Sequence, residues 1–262
     1  MQSLISLFIL AFAGINVVRS EHHYTGDITS YGAMPENQFC GFKKNSWNYN
    51  GLMTAAINND MIDNSITCGM CAAVTYGDKS TVVLLDNLCP ECKHGDLDLS
   101  HEAWNYLTNN KNYGREKAKW SFIDCDKFII KDGEPSGGII LKPHHINYWW
   151  LAITPSNMKC GVSSIDISFE GKEWISMERD NGKMNGLYFI FHSQVVGSFR
   201  FKLTSRLGEE LITDTYNSID EIYYTKKQFK CDAEVDCGLS MPSEIISNVT
   251  YTNKPSSECS CK

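Results

Sequence analysis

Cysteine placement limits this chain more than any other feature. Four of the 11 cysteines spell Cys68-Gly-Met-Cys71 and Cys89-Pro-Glu-Cys92, with 17 residues between the two pairs, and Cys40 and Cys125 bracket the same segment. Taken alone, the paired CxxC spacing fits a four-cysteine zinc ribbon. The start of the chain points elsewhere. Leu4 to Val18 is an uncharged apolar run, and Val18-Arg19-Ser20 after it has small residues where a signal peptidase reads. In an oxidising compartment thiols are normally paired, so no metal is expected. A simple hypothesis joins Cys40 to Cys68, Cys71 to Cys125 and Cys89 to Cys92, with Cys125 closing a first domain. Cys160, Cys231, Cys237, Cys259 and Cys261 are left over, an odd set, so one thiol is free or bonds another chain.

Residues 1–20 thus read as a secretory signal peptide, and the rest of the 262 residues suffices for two domains of about 100 each. No later stretch approaches the ~20 apolar residues that span a bilayer. The expected product is soluble, secreted and extracellular, with no membrane partner. A formal charge of −7 without any basic run makes nucleic acid an unsuitable partner. Neutral polymers, sugars above all, suit this balance, because aromatic faces and hydrogen bonds grip them without charge.

Chemistry concentrates in residues 82–104, VVLLDNLCPECKHGDLDLSHEAW. A buried strand runs out to one carboxylate, Asp86, and a second, Asp98, stands just before a helix. Ser100 is a good N-cap, Glu102 lies in the first turn where the macrodipole favours an anion, and Leu99 with Trp104 occupies the staple positions. Two acids set by rigid elements around a cleft are the usual equipment for handling a glycosidic bond. The plain alternative makes Asp96 and Asp98 solvated turn residues.

Apolar runs from Thr25 to Asp126 are short and bounded by Gly, Asn, Asp and Pro, which predicts a mainly β domain over 21–130. Strands are expected at Asp27–Tyr31, Cys71–Tyr76, Thr81–Asp86 and Lys119–Asp124, and helices at Thr54–Asn58 and Ser100–Thr108. The turn-rich stretch 131–138 reads as a linker. Strands then recur every 8 to 12 residues over 139–228, beginning with Ile139–Lys142 and Tyr148–Thr154, the pattern of a β-sandwich. Residues 229–262 form a Cys-rich tail carrying the sequon Asn248-Val249-Thr250, a glycosylation acceptor. The seven histidines, His22-His23 and His144-His145 among them, show no metal-ligand spacing and read as surface residues. Nothing calls for a cofactor.

The order of motifs resembles the expansins, particularly the expansin-like proteins outside land plants. The resemblance runs from about Gly26 to Tyr224. It rests on Gly26-Asp-Ile-Thr29-Ser-Tyr31-Gly32, Cys40-Gly41-Phe42, Ala55-Ala56-Ile57-Asn58, Cys68-Gly-Met-Cys71, the strand ending at Asp86, Leu97-Asp98-Leu99-Ser100, Lys119-Trp120 and Tyr148-Trp149-Trp150. It implies a six-stranded double-psi β-barrel followed by an immunoglobulin-like β-sandwich that binds cellulose. The implied groove residues are Thr29, Tyr31, Asp86 and Asp98, with Asp98 at the position of the general acid in related inverting endoglucanases. A tyrosine that some expansins carry shortly after the first aspartate is replaced here by Asn87 or Leu88. The implied carbohydrate surface of the sandwich is Trp149 and Trp150, with Lys142 and Tyr148 at its rim. No clear third ring follows Trp174, where Gly182 or Met184 falls; Tyr188 is a substitute. Successive strand residues face opposite sides, so exposing both indoles calls for a bulge or twist.

Inverting hydrolysis needs a base across the sugar from the acid, about 6.5 to 9.5 Å away. The strand after Thr29 holds no acid until Glu36, so the expected function is non-catalytic: binding cellulose or a related matrix polysaccharide and loosening it without hydrolysis. The rivals are an endoglucanase or lytic transglycosylase with Asp98 as acid, partnered by Asp86, and a structural crosslinker acting through the tail cysteines. The target polysaccharide and the oligomeric state stay open at this level.

Overall fold

The computed structural model describes residues 24–32, 39–40, 52–62, 67–123, 125, 130–131, 134–135, 137–180, 188–219 and 222–230. The stretch expected to be a signal peptide, Asn248 and the four tail cysteines lie outside them.

Six strands close a barrel: β1 (Tyr24–Tyr31), β2 (Met53–Asn58), β3 (Cys71–Tyr76), β4 (Lys79–Cys89), β5 (Leu97–Ser100) and β6 (Glu116–Ile123), in the order β1-β5-β2-β4-β3-β6. β1 runs parallel to β5 and β2 parallel to β4, while the other contacts are antiparallel. This is the expected double-psi topology. Its lining is apolar: Ile28, Ile57, Val83, Leu85, Leu97 and Leu99 are essentially inaccessible to solvent. β2 corrects an expectation, because Thr54–Asn58 forms a strand, not a helix. Its alanines have high helix propensity, but β4 and β5 hydrogen-bond it from both sides and all five of those residues are buried.

Helix α1 (Asn59–Ile62) is a single turn, whereas α2 (His101–Thr108) is built as its sequence demands. Ser100 Oγ accepts from the Ala103 N–H at 3.3 Å, and Asn109 ends the helix at φ 57° in the left-handed region. Trp104 and Leu107 plug α2 into the barrel end.

Among the described residues three disulfides have both partners, Cys40–Cys68, Cys71–Cys125 and Cys89–Cys92. They consume all four thiols that a zinc ribbon would need. Cys71–Cys125, with its 54-residue separation, contributes about 4 kcal/mol in the chain-entropy account. Cys160 is also disulfide-bonded, with a partner outside the described residues; it is not the free thiol.

Between barrel and sandwich, β7 (Ile130–Lys131) and β8 (Glu134–Pro135) pair as a small ribbon at the start of the turn-rich stretch read as a linker. Then come β9 (Ile140–Asn147), β10 (Trp150–Ser156), β11 (Val162–Phe169), β12 (Ile175–Ser176), β13 (Glu178–Arg179), β14 (Phe189–Phe191), β15 (Phe199–Ser205), β16 (Glu210–Ile212) and β17 (Tyr223–Tyr224). They form one sheet of order β13-β14-β10-β9-β17 and a second of order β12-β11-β15-β16. β15 shows why: Phe199, Phe201 and Leu203 alternate inward, and the Tyr223 ring of the opposite sheet packs on Phe201 at 5.4 Å between centroids.

Candidate functional site

The groove begins with register. Pairing β1 parallel to β5 sets Thr29 beside Asp98. With Ile28, Leu97 and Leu99 committed to the barrel interior, the alternation of side chains turns Thr29 and Asp98 outward together. Thr29 Oγ1 donates to Asp98 Oδ1 at 2.5 Å. Asp98 therefore sits in a strand and not in the turn before α2. Partial burial raises its pKa, and the Thr29 hydroxyl pulls it back part of the way. Glu91 pushes in the same direction as burial, while Arg115 and His101 oppose it.

Asp86 arrives by a different device. Ala55 pairs with Leu85 and the next residue, Ala56, pairs with Asn87, so Asp86 is the extra residue of a β-bulge. A bulge re-aims its side chain, and here the carboxyl ends up 3% exposed beneath Tyr31. The Tyr31 hydroxyl lies 3.5 Å from both Asp86 Oδ1 and Thr54 Oγ1. Burial pushes Asp86 well above the ordinary carboxylate range, beyond what its bonds to Thr54 and Tyr31 return. The Tyr31 hydroxyl is likewise pushed up, first by burial and then by Asp86. The sequence places Asp86 at the end of its strand; the structure carries β4 on to Cys89.

Asp96 is neither a free turn residue nor a groove acid. It is buried, and its carboxylate accepts the backbone N–H groups of Asp27 and Lys93 at 2.7 and 3.0 Å. Arg115 binds Asp27 at 2.9 Å and reaches Asp96 at 3.7 Å, bracing the groove edge.

The aromatic run of the sandwich is a hairpin tip. Asn147 pairs with Trp150, leaving Tyr148 and Trp149 as the two loop residues, and Asn147 Oδ1 accepts the Trp149 N–H at 2.8 Å. Tyr148 is 69% and Trp149 66% exposed. Trp150 opens β10 and packs against Ala152, Tyr188 and Ile190, so one indole is presented and the other half-buried. A bulge does occur, between Leu151 and Ala152, past the tip. Lys142 corrects an expectation: it is buried at 7% exposure in the sheet interior and not at an exposed rim. His144 is also buried, tilted against the Tyr188 ring at 4.6 Å, and not a surface residue. Among the described residues no group of His, Cys, Asp and Glu could hold a metal ion, and no helix is long and apolar enough to cross a membrane.

A double-psi barrel with an outward Thr–Asp pair is followed by a two-sheet sandwich with an aromatic hairpin, the two-domain arrangement of the expansin fold. No family model matches the chain. It is 29% identical to Expansin-YoaJ of Bacillus subtilis over 146 residues, 54% of this chain and 55% of that one, so this relative is matched over about half its length. Against Expansin-A7 of Arabidopsis thaliana it is 27% identical over 205 residues, 72% of this chain and 73% of that one. In structure it is similar to the apo expansin of Clavibacter michiganensis, with a TM-score of 0.59 at 19% identity over 79% of this chain and 97% of that one. A mutant of the same protein in complex with cellohexaose gives the same score at 18% identity. By sequence relatives and fold together, this chain is similar to the expansins.

Proposed function

We propose that this chain is a secreted protein that holds a cellulose-like glucan along the Thr29–Asp98 groove and at the Tyr148–Trp149 tip, loosening polysaccharide wall or matrix without hydrolysing it. The substrate class follows the cellohexaose bound to its structural neighbour. One observation carries the non-hydrolytic reading: Asp86, the second carboxyl, is sealed under Tyr31, where burial disfavours its charged form. A carboxyl closed off from solvent cannot reach an attacking water to take its proton, and inverting hydrolysis needs such a base across from the acid. Asp98, accepting from Thr29 with its other lone pairs open, serves as an acceptor for sugar hydroxyls. The exposed Trp149 indole offers an apolar face to the C–H side of a pyranose.

The test is incubation of the purified protein with amorphous cellulose, measuring bound protein, reducing sugar and the extension of wall strips under load. Binding and extension without sugar release are expected, both weakened by Asp98→Asn. One observation favours a rival: burial raises the pKa of Asp98, as a general acid requires. Soluble oligosaccharides that disappear in Asp98→Asn would establish an endoglucanase or lytic transglycosylase.

A further inference from the structure

Beyond the Thr29–Asp98 pair and the hairpin tip, one exposed aromatic ring is seated on the start of α2. Tyr113 is 55% exposed, yet its ring lies flat on His101, with centroids 4.3 Å apart and planes 13° from parallel. Trp104 closes in obliquely at 6.3 Å. His101 covers one face of the Tyr113 ring, and more than half of the residue stays open to solvent.

The loop that carries the ring is fixed on both sides. Before it, the Trp104 indole N–H donates to the Lys111 carbonyl at 2.8 Å, and the Lys111 N–H donates to Thr108 Oγ1 at 3.3 Å. After it, Arg115 is bound to Asp27 at 2.9 Å. An exposed tyrosine held in this way has already lost the rotamer freedom that a contact would otherwise cost.

Its place follows from the strands. His101 opens α2 three residues after Asp98, and Glu116 pairs with Ile28 on the side of β1 opposite Asp98. The loop ending in Arg115 thus flanks the strand that presents Thr29, and both His101 and Arg115 act electrostatically on the Asp98 carboxylate.

We infer that Tyr113, seated on His101 at the groove edge, is a stacking platform for one pyranose ring of the glucan chain held by Asp98. The inference rests on the groove reading above and adds a subsite to it. The occupant is a neutral sugar and not a charged group, because the exposed surface is an aromatic ring seated on the first residue of the helix that follows the Thr29–Asp98 pair.

Calorimetric titration of the full chain with cellohexaose tests it, comparing the unaltered protein with Tyr113→Ala, Tyr113→Phe, His101→Ala and Asp98→Asn. Tyr113→Ala should weaken binding about two- to tenfold, the range of an aromatic contact, with an unchanged unfolding midpoint. Tyr113→Phe should stay within about twofold, because the ring face and not the hydroxyl makes the contact. His101→Ala should lose part of the affinity by unseating the ring. Binding weakened by Asp98→Asn but untouched by Tyr113→Ala overturns this inference alone. No binding by the unaltered protein overturns it together with the groove reading.

Discussion

The Asn157 N–H donates to the Gly69 carbonyl at 2.9 Å, joining the end of the first sandwich hairpin to the barrel through main-chain atoms. Gly69 in turn donates to the Leu85 carbonyl at 2.8 Å, immediately before the bulge residue Asp86. The Asn157 side chain donates to the Gly138 carbonyl at 2.7 Å, and Gln228 Nε2 donates to the Asn157 carbonyl at 2.8 Å. The joint, the bulge and the last described segment are therefore one connected arrangement.

Gly69 has no tolerable substitute there. Its φ of +80° is a left-handed conformation, and a Cβ would stand 2.8 Å from the Pro155 oxygen and the Ser156 Cα. Gly69→Ala should cost about 1–3 kcal/mol of stability, read by denaturant unfolding. A variant as stable as the parent would show that the sandwich can move off the barrel freely.

Asp86 sets a pH dependence whose sign follows from its burial. Its carboxyl pKa is raised in the folded protein, so above the ordinary aspartate range the folded state binds more protons than the unfolded chain. The stability contributed by this group is whole below that range and is lost as pH climbs through the folded pKa. Asp86→Asn should flatten the curve of stability against pH on this side, measured by urea unfolding at stepped pH. Parallel curves for the two proteins would contradict a buried, protonated Asp86.

Thr29 lowers what burial raises at Asp98. Removing the hydroxyl in Thr29→Val should move the Asp98 titration upward, followed by carboxyl-carbon resonances. Glucan affinity should fall as well, by roughly the 1.5–3 kcal/mol that a hydrogen bond to a charged group is worth at most. An unmoved titration would mean that the Thr29–Asp98 bond does not persist in solution.

The two tryptophans should separate cleanly. Trp149→Ala removes a ring that touches little, so retention on cellulose should drop while the unfolding midpoint holds. Trp150→Ala opens a gap beside Ala152, Tyr188 and Ile190 and should cost about 1–3 kcal/mol of stability. Pull-down on cellulose paired with thermal unfolding of each variant checks both outcomes.

Much of the site was legible where chemistry is local. Ser100 announced α2 through its cap and Glu102, and the motif order put Thr29, Asp86 and Asp98 in one barrel. What escaped the sequence depends on partners distant in the chain. The Thr54–Asn58 stretch is alanine-rich, and only the strands on either side decide that it is extended. The bulge at Asp86 is a mismatch between two strands and has no signature in one. Trp149 read as a strand residue, although Asn147, a turn former, was the available sign of a hairpin tip. Tyr113 and His101 lie 12 positions apart with no common periodicity, so their stacking became visible only in three dimensions.

Because Asn157 meets Gly69 backbone to backbone, and the side chains that brace this joint are buried or local to it, the attachment does not depend on which side chains decorate the outer surface of either half. Surface residues can drift in composition without tilting one half against the other. A change in loop length beside residue 69 or residue 157 would act as a steering adjustment, resetting the offset between furrow and hairpin tip while both stay chemically the same.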